Sequence, residues 1–152
     1  MSRRIQITIC DDGFLNLNAY LVSHHIREPN TLLFYVDTGS PSTIISQNDA
    51  EKLGIDISTL KKHPVPLGGF GEGRTDANEI DNVCIVMTTD DNKTYNVVLD
   101  MVLIAMRAKR KDAIKKNLHI PNVIGSDFFQ RSGLSLFVNL KNSIAYMEEY
   151  TR

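Results

Sequence analysis

An aspartate that follows directly on an apolar run is the first residue of this chain whose surroundings suggest chemistry. In Phe34-Tyr35-Val36-Asp37-Thr38-Gly39-Ser40, strand-forming residues deliver a carboxylate, then a hydroxyl, a glycine and a second hydroxyl. A strand ending in a core carries the carboxylate inside with it. Gly39 allows a sharp turn beside it, and the hydroxyls of Thr38 and Ser40 can satisfy neighbouring polar groups. A carboxylate positioned in this way can accept or donate a proton in a hydrolysis. The same residues also suit an ordinary turn, because Asp, Gly and Ser all favour turns. A second apolar-apolar-glycine motif near the C-terminal end, Val123-Ile124-Gly125-Ser126-Asp127 before Phe128-Phe129, argues for more than a turn.

The other chemistry-bearing residue types offer less. His24, His25, His63 and His119 show neither an i, i+4 helical spacing nor the cysteine partners of a zinc site, so no metal is predicted. Cys10 and Cys84 each sit in an apolar, strand-like run and are read as buried core thiols in preference to a disulfide. Gly68, Gly69, Gly71 and Gly73 surround Phe70. A phosphate-cradling loop would need such glycines at a strand-to-helix junction, usually with Gly-Lys-Ser/Thr, but Arg74-Thr75-Asp76 and a strand follow here. A hairpin with a mobile tip is the expectation. The basic run from Arg107 to Lys116 could attract a polyanion. With a net charge of −1 and no interleaved aromatics it is read as a solvated face, and no nucleic-acid partner is expected.

The elements that must position Asp37 are short apolar runs separated by turn residues, the pattern of an antiparallel all-β domain rather than of βαβ units. Strands are predicted over residues 5–10, 15–22, 32–36, 43–46, 80–88, 95–106 and 122–124, with a closing hairpin of 134–140 and 143–147. A two-turn helix is predicted over 47–54, ended by Gly54, a helical turn over 126–131, and an inserted surface helix over 107–117. At 152 residues, with 42% hydrophobic and 23% charged residues, the chain is expected to form a single domain, residues 1–152, with a real core. It has no apolar run long enough for a bilayer and no apolar core of a secretory signal at its start, so no membrane association and a cytoplasmic location are expected.

Taken in order, Asp37-Thr38-Gly39-Ser40, Ile44-Ile45-Ser46 with Ala50-Glu51-Lys52-Leu53-Gly54, the glycine-rich stretch, Ile124-Gly125-Ser126-Asp127 and a final hairpin resemble the retropepsin-like aspartic protease family over nearly the whole chain. The resemblance implies a mainly β, closed barrel-like domain with one or two short helices, working as a homodimer. It implies an aspartic endopeptidase that cleaves extended peptides or proteins with water activated between two Asp37 carboxylates, without metal or organic cofactor. It assigns Thr38 a scaffold role across the dimer and Gly39 a substrate-backbone contact. Gly68, Gly69, Phe70, Gly71 and Gly73 become the flap, and Ile124, Gly125, Ser126 and Asp127 a structural motif. Ile44 and Ile45 could line a pocket, but core is the expected place for strand isoleucines. Ser40 is expected to donate to the Asp37 carboxylate and so shift activity toward lower pH. Viral members usually carry an aspartate where Pro41 stands and an arginine where Ser126 stands; both partners of that ion pair are absent together. Arg3 and Arg4 are expected to approach Glu148 and Glu149 of a second copy. The rival from another class is a non-catalytic peptide-binding or dimerisation module on the same fold.

Overall fold

The computed structural model describes residues 3–68, 74–107 and 120–150. The chain opens with β1 (Arg4–Gln6) and β2 (Thr8–Ile9), then β3 (Leu15–Val22), β4 (Thr31–Val36) and β5 (Ile44–Ser46). Helix α1 (Gln47–Lys52) and a 3-10 turn (Ile57–Thr59) precede β6 (Lys61–Lys62) and two long strands, β7 (Ala77–Thr88) and β8 (Thr94–Ala105). After β9 (Asn122–Ile124) come α2 (Ser126–Ser132), β10 (Leu134–Asn139) and β11 (Ile144–Glu149).

Alternation of side chains explains the strands. In β3, Leu17, Ala19 and Leu21 are buried while Asn18, Tyr20 and Val22 face outward; in β4, Leu32 and Phe34 are the buried pair. Helix α1 starts where the Ser46 hydroxyl accepts from the Asp49 amide at 3.1 Å. It is followed by Gly54 at φ +70°, the left-handed conformation that glycine adopts without a Cβ penalty.

Six strands close on themselves in the order β3-β4-β9-β5-β8-β7, the seam being the pairing of Tyr20, Leu21 and Val22 with Val86, Ile85 and Cys84. Phe34, Ile45, Ile80, Ile85, Ile104, Ile124 and Phe128 fill the interior with almost no solvent exposure. Each fully buried side chain of this size contributes roughly 1.5–3 kcal/mol relative to exposure. Ile44 and Ile45 are both core residues.

Three departures from the sequence reading have structural causes. The predicted strand 5–10 is two strands, because β1 pairs with β11 and β2 with β3; the break falls at buried Ile7, whose amide donates to the Ala145 carbonyl at 3.1 Å. The sheet is not wholly antiparallel: β4 runs parallel to β9, and β5 parallel to β8. The termini pair within one chain, with Arg4 opposite Glu148 in β1–β11 and Arg4 Nε 3.1 Å from Glu148 Oε2, so the chain itself supplies the partner that had been expected from a second copy. Cys10 and Cys84 are free thiols and only partly buried; Asn16 Nδ2 donates to Cys10 Sγ, and burial pushes the Cys84 thiol up. The helix predicted over 107–117 lies, apart from Arg107, outside the described residues.

Candidate active site

The parallel pairing of β4 with β9 sets the geometry. Val36 stands opposite Ile124, so the residues that follow, Asp37 and Gly125, leave the barrel side by side. The Asp37 amide donates to the Ile124 carbonyl at 3.0 Å, extending the ladder by one bond. The chain then turns back: the Ser40 amide donates to the Asp37 carbonyl at 3.1 Å, and the Gly39 amide to Asp37 Oδ1 at 2.9 Å. A Cβ at Gly39 would lie 3.1 Å from Asp37 Oδ1, so any side chain there presses on the carboxylate. Asp37, Thr38 and Gly39 are exposed, contrary to the expectation that the strand carries the carboxylate inside. Strand β4 ends at the barrel rim, and the acid is fixed by backbone bonds while open to whatever covers that rim.

Beneath this turn a second layer of bonds ties residues 40–43 to β9 and α2. Ser126 N donates to the Ser40 carbonyl at 2.8 Å. The fully buried Thr43 hydroxyl accepts from Gly125 N at 3.1 Å and donates to Asp127 Oδ1 at 2.8 Å. Asp127 Oδ2 accepts from Thr43 N at 3.0 Å, and Oδ1 also accepts from Phe128 N at 2.8 Å. One carboxylate therefore both accepts from an amide in the first turn of α2 and holds the segment behind the Asp37 turn. Buried Asn122 does the same one strand over, accepting from Ser46 N and donating to the Leu33 carbonyl and to Asp49 Oδ2.

The Ser40 hydroxyl does not reach Asp37. It donates to the Ser42 carbonyl at 2.8 Å, and a hydroxyl has one proton to give. Ser40→Ala should therefore leave the pH optimum of any Asp37-dependent activity where it is. Its cost should be about 1 kcal/mol of stability, read by urea titration; an optimum that moves would restore a direct link to the carboxylate.

Thr43 and Asn122 escaped the sequence reading, although each is a polar residue heading an apolar strand, which was the available signal. Thr43→Val keeps the shape but leaves Gly125 N and Asp127 short of a partner. A loss of about 2 kcal/mol is expected on urea unfolding, with most of it recovered in Thr43→Ser. Phe14 is a further omission: it is exposed and packs edge-on against Tyr35, two residues before Asp37.

The structure thus brings Asp37, Thr38, Gly39 and Ser40 together with Ile124, Gly125, Ser126 and Asp127. Gly68 follows Leu67, which exchanges two backbone hydrogen bonds with Thr75 across an isolated antiparallel bridge. Gly69, Phe70, Gly71 and Gly73 lie outside the described residues. No helix among the described residues is long and apolar enough to cross a membrane.

No family model and no curated protein matches the sequence. Among solved structures, the chain is similar to the crystal structure of a retropepsin-like aspartic protease from Rickettsia conorii. The TM-score is 0.60 at 17% identity, over 98% of this chain and 92% of that one. The likeness is one of fold: a mainly β, retropepsin-like closed barrel with two short helices.

Proposed function

We propose that the chain is one half of a homodimeric aspartic endopeptidase, with Asp37 as its catalytic acid. The observation that carries this reading is an exposed Asp37 at the rim of a retropepsin-like barrel, its carboxylate accepting from Gly39 N and its backbone amide donating to the Ile124 carbonyl. Such a rigid, open acid suits a reaction in which geometry must not depend on the substrate.

Hydrolysis by carboxylates alone needs two of them. One, ionised, takes a proton from water as the oxygen attacks the carbonyl carbon; the other, protonated, donates to the carbonyl oxygen. When the tetrahedral intermediate collapses, the C–N bond breaks and the leaving amine takes up a proton from the pair. Two like charges about 3 Å apart cannot both ionise, so a close pair shares one proton and supplies both roles. Each chain has one Asp-Thr-Gly. A two-fold axis past the rim would set Asp37 against its own copy, since an isologous interface brings the same residue of each subunit to the axis. In that dimer Thr38 is the scaffold residue and Gly39 the contact to the substrate backbone. On this reading Gly68, Gly69, Phe70, Gly71 and Gly73 form the flap over an extended peptide, which would bind by strand-like hydrogen bonds; the Leu67–Thr75 bridge that flanks them supports it.

The test is to incubate the purified protein with an unfolded polypeptide at a series of pH values from acid to neutral, beside Asp37→Asn, and to follow its mass by sedimentation. Cleavage by the parent alone, from a dimeric species, is expected. Peptide binding without cleavage would favour a docking module, and a monomer under conditions of full activity would remove the shared-acid mechanism.

A further inference from the structure

We propose that His24, His25 and Asp81 form a binding site for a divalent transition-metal ion of the zinc type, on the barrel seam and apart from Asp37. The ligand atoms of these three side chains lie within 4.8 Å of one another. His25 Nε2 is 2.7 Å from Asp81 Oδ1, and the rings of His24 and His25 are in contact, with centroids 3.9 Å apart.

Spacing along the chain does not display this group, because Asp81 is 56 residues from His25. The fold assembles it. Strands β3 and β7 pair as far as Val22 and Cys84, and three residues past that point on one strand and three before it on the other stand His25 and Asp81. Both sides are anchored. Ile26 is buried directly after the histidines, and the turn holding them is closed by Ile26 N to the Ser23 carbonyl at 3.0 Å and His25 N to Ser23 Oγ at 3.2 Å. On β7, Ile80 and Val83 are fully buried around exposed Asp81.

Two imidazoles and one carboxylate suit zinc, copper or nickel better than magnesium or calcium, which prefer all-oxygen sets. Three protein ligands leave a fourth tetrahedral position for water. With metal–ligand bonds of about 2.0–2.1 Å, tetrahedral ligand atoms stand about 3.3 Å apart. The His25–Asp81 contact therefore opens slightly as the ion takes the place of its hydrogen bond, and His24 closes in. The exposed His24 and Asp81 can make both adjustments about the partly buried His25. The other close histidine–carboxylate pair among the described residues, His63 with Glu79 at 2.9 Å, differs in kind: Lys61 Nζ lies 3.9 Å from the same carboxylate and already supplies the positive charge.

The ion would bind the folded chain and bridge the two strands that close the barrel, so occupancy should appear as stability. Zinc chloride titrated calorimetrically into the full chain should give one saturable site. At a hundredfold excess over its dissociation constant, zinc should raise the melting temperature by about 5–10 °C, whereas magnesium chloride should not. His25→Ala and Asp81→Asn should each weaken zinc at least tenfold, the latter without removing a buried group, and His63→Ala should leave binding intact. Absence of saturable binding at millimolar zinc, or an affinity that falls less than tenfold in either variant, would overturn the site.

Discussion

Asp37→Asn should lower kcat/KM for peptide hydrolysis by about 10³-fold or more while leaving the melting temperature within about 2 °C of the parent. The two halves of that expectation have separate causes. Positioned proton transfer is worth about 10²–10⁴ in rate, and in a symmetric dimer one substitution removes both acids at once. The amide oxygen of asparagine can still accept from Gly39 N, the bond that fixes the side chain at 2.9 Å, and the backbone bond of residue 37 to the Ile124 carbonyl is untouched. Within the single chain the group is exposed, so losing the charge strands no buried group of that chain. The measurement is cleavage of an unfolded polypeptide alongside a thermal melt. Activity within tenfold of the parent would exclude Asp37 as the acid, whatever the fold.

Gly125→Ala should have the largest effect on stability, about 3 kcal/mol or more, which for a chain of this size is a fall in melting temperature of about 6–12 °C. The backbone at Gly125, with φ −95° and ψ −176°, is open to any residue, so the penalty is not conformational. It is steric. A Cβ would lie 2.5 Å from the Ser42 carbonyl oxygen, 2.6 Å from its carbon and 2.7 Å from the Ser40 carbonyl oxygen. All three are backbone atoms, so the turn that carries Asp37 must move away from β9, straining the bonds from Ser126 N to the Ser40 carbonyl and from Gly125 N to Thr43. Activity should therefore fall even in the fraction that stays folded. Gly133→Ala is the control. That glycine sits at φ +68° with open space around the missing Cβ, and its loss should cost only about 1 kcal/mol, the strain of a left-handed alanine. Equal effects of the two substitutions in thermal and urea unfolding would sink the steric account.

These two variants separate two layers of the site. In the proposed enzyme Asp37 and Gly39 form the surface that would meet substrate, whereas Gly125, Thr43 and Asp127 decide where that surface stands. Substitutions in the second group should alter stability and activity together, and those in the first should alter activity alone.

The residues around Asp37 were legible in the sequence because their message is local. An apolar strand, an acid, a hydroxyl and a glycine within seven residues specify a turn carrying a carboxylate, and alternation in β3 and β4 specifies which neighbours are core. What local pattern cannot carry is pairing between distant segments. That β4 runs parallel to β9 follows from no feature of either strand, yet it puts Gly125 beside Ser42 and Asp127 beside Thr43, 84 residues apart. The same limit explains the rest. The first strand divides because two different sheets claim its halves, and Arg4 finds Glu148 in its own chain. The Ser40 proton is a local matter instead, given to the Ser42 carbonyl two residues on. Residue type and short-range spacing determined which groups could do chemistry; closure of the barrel decided which of them meet, because a hydrogen bond or a steric contact depends on distance through space and not along the chain.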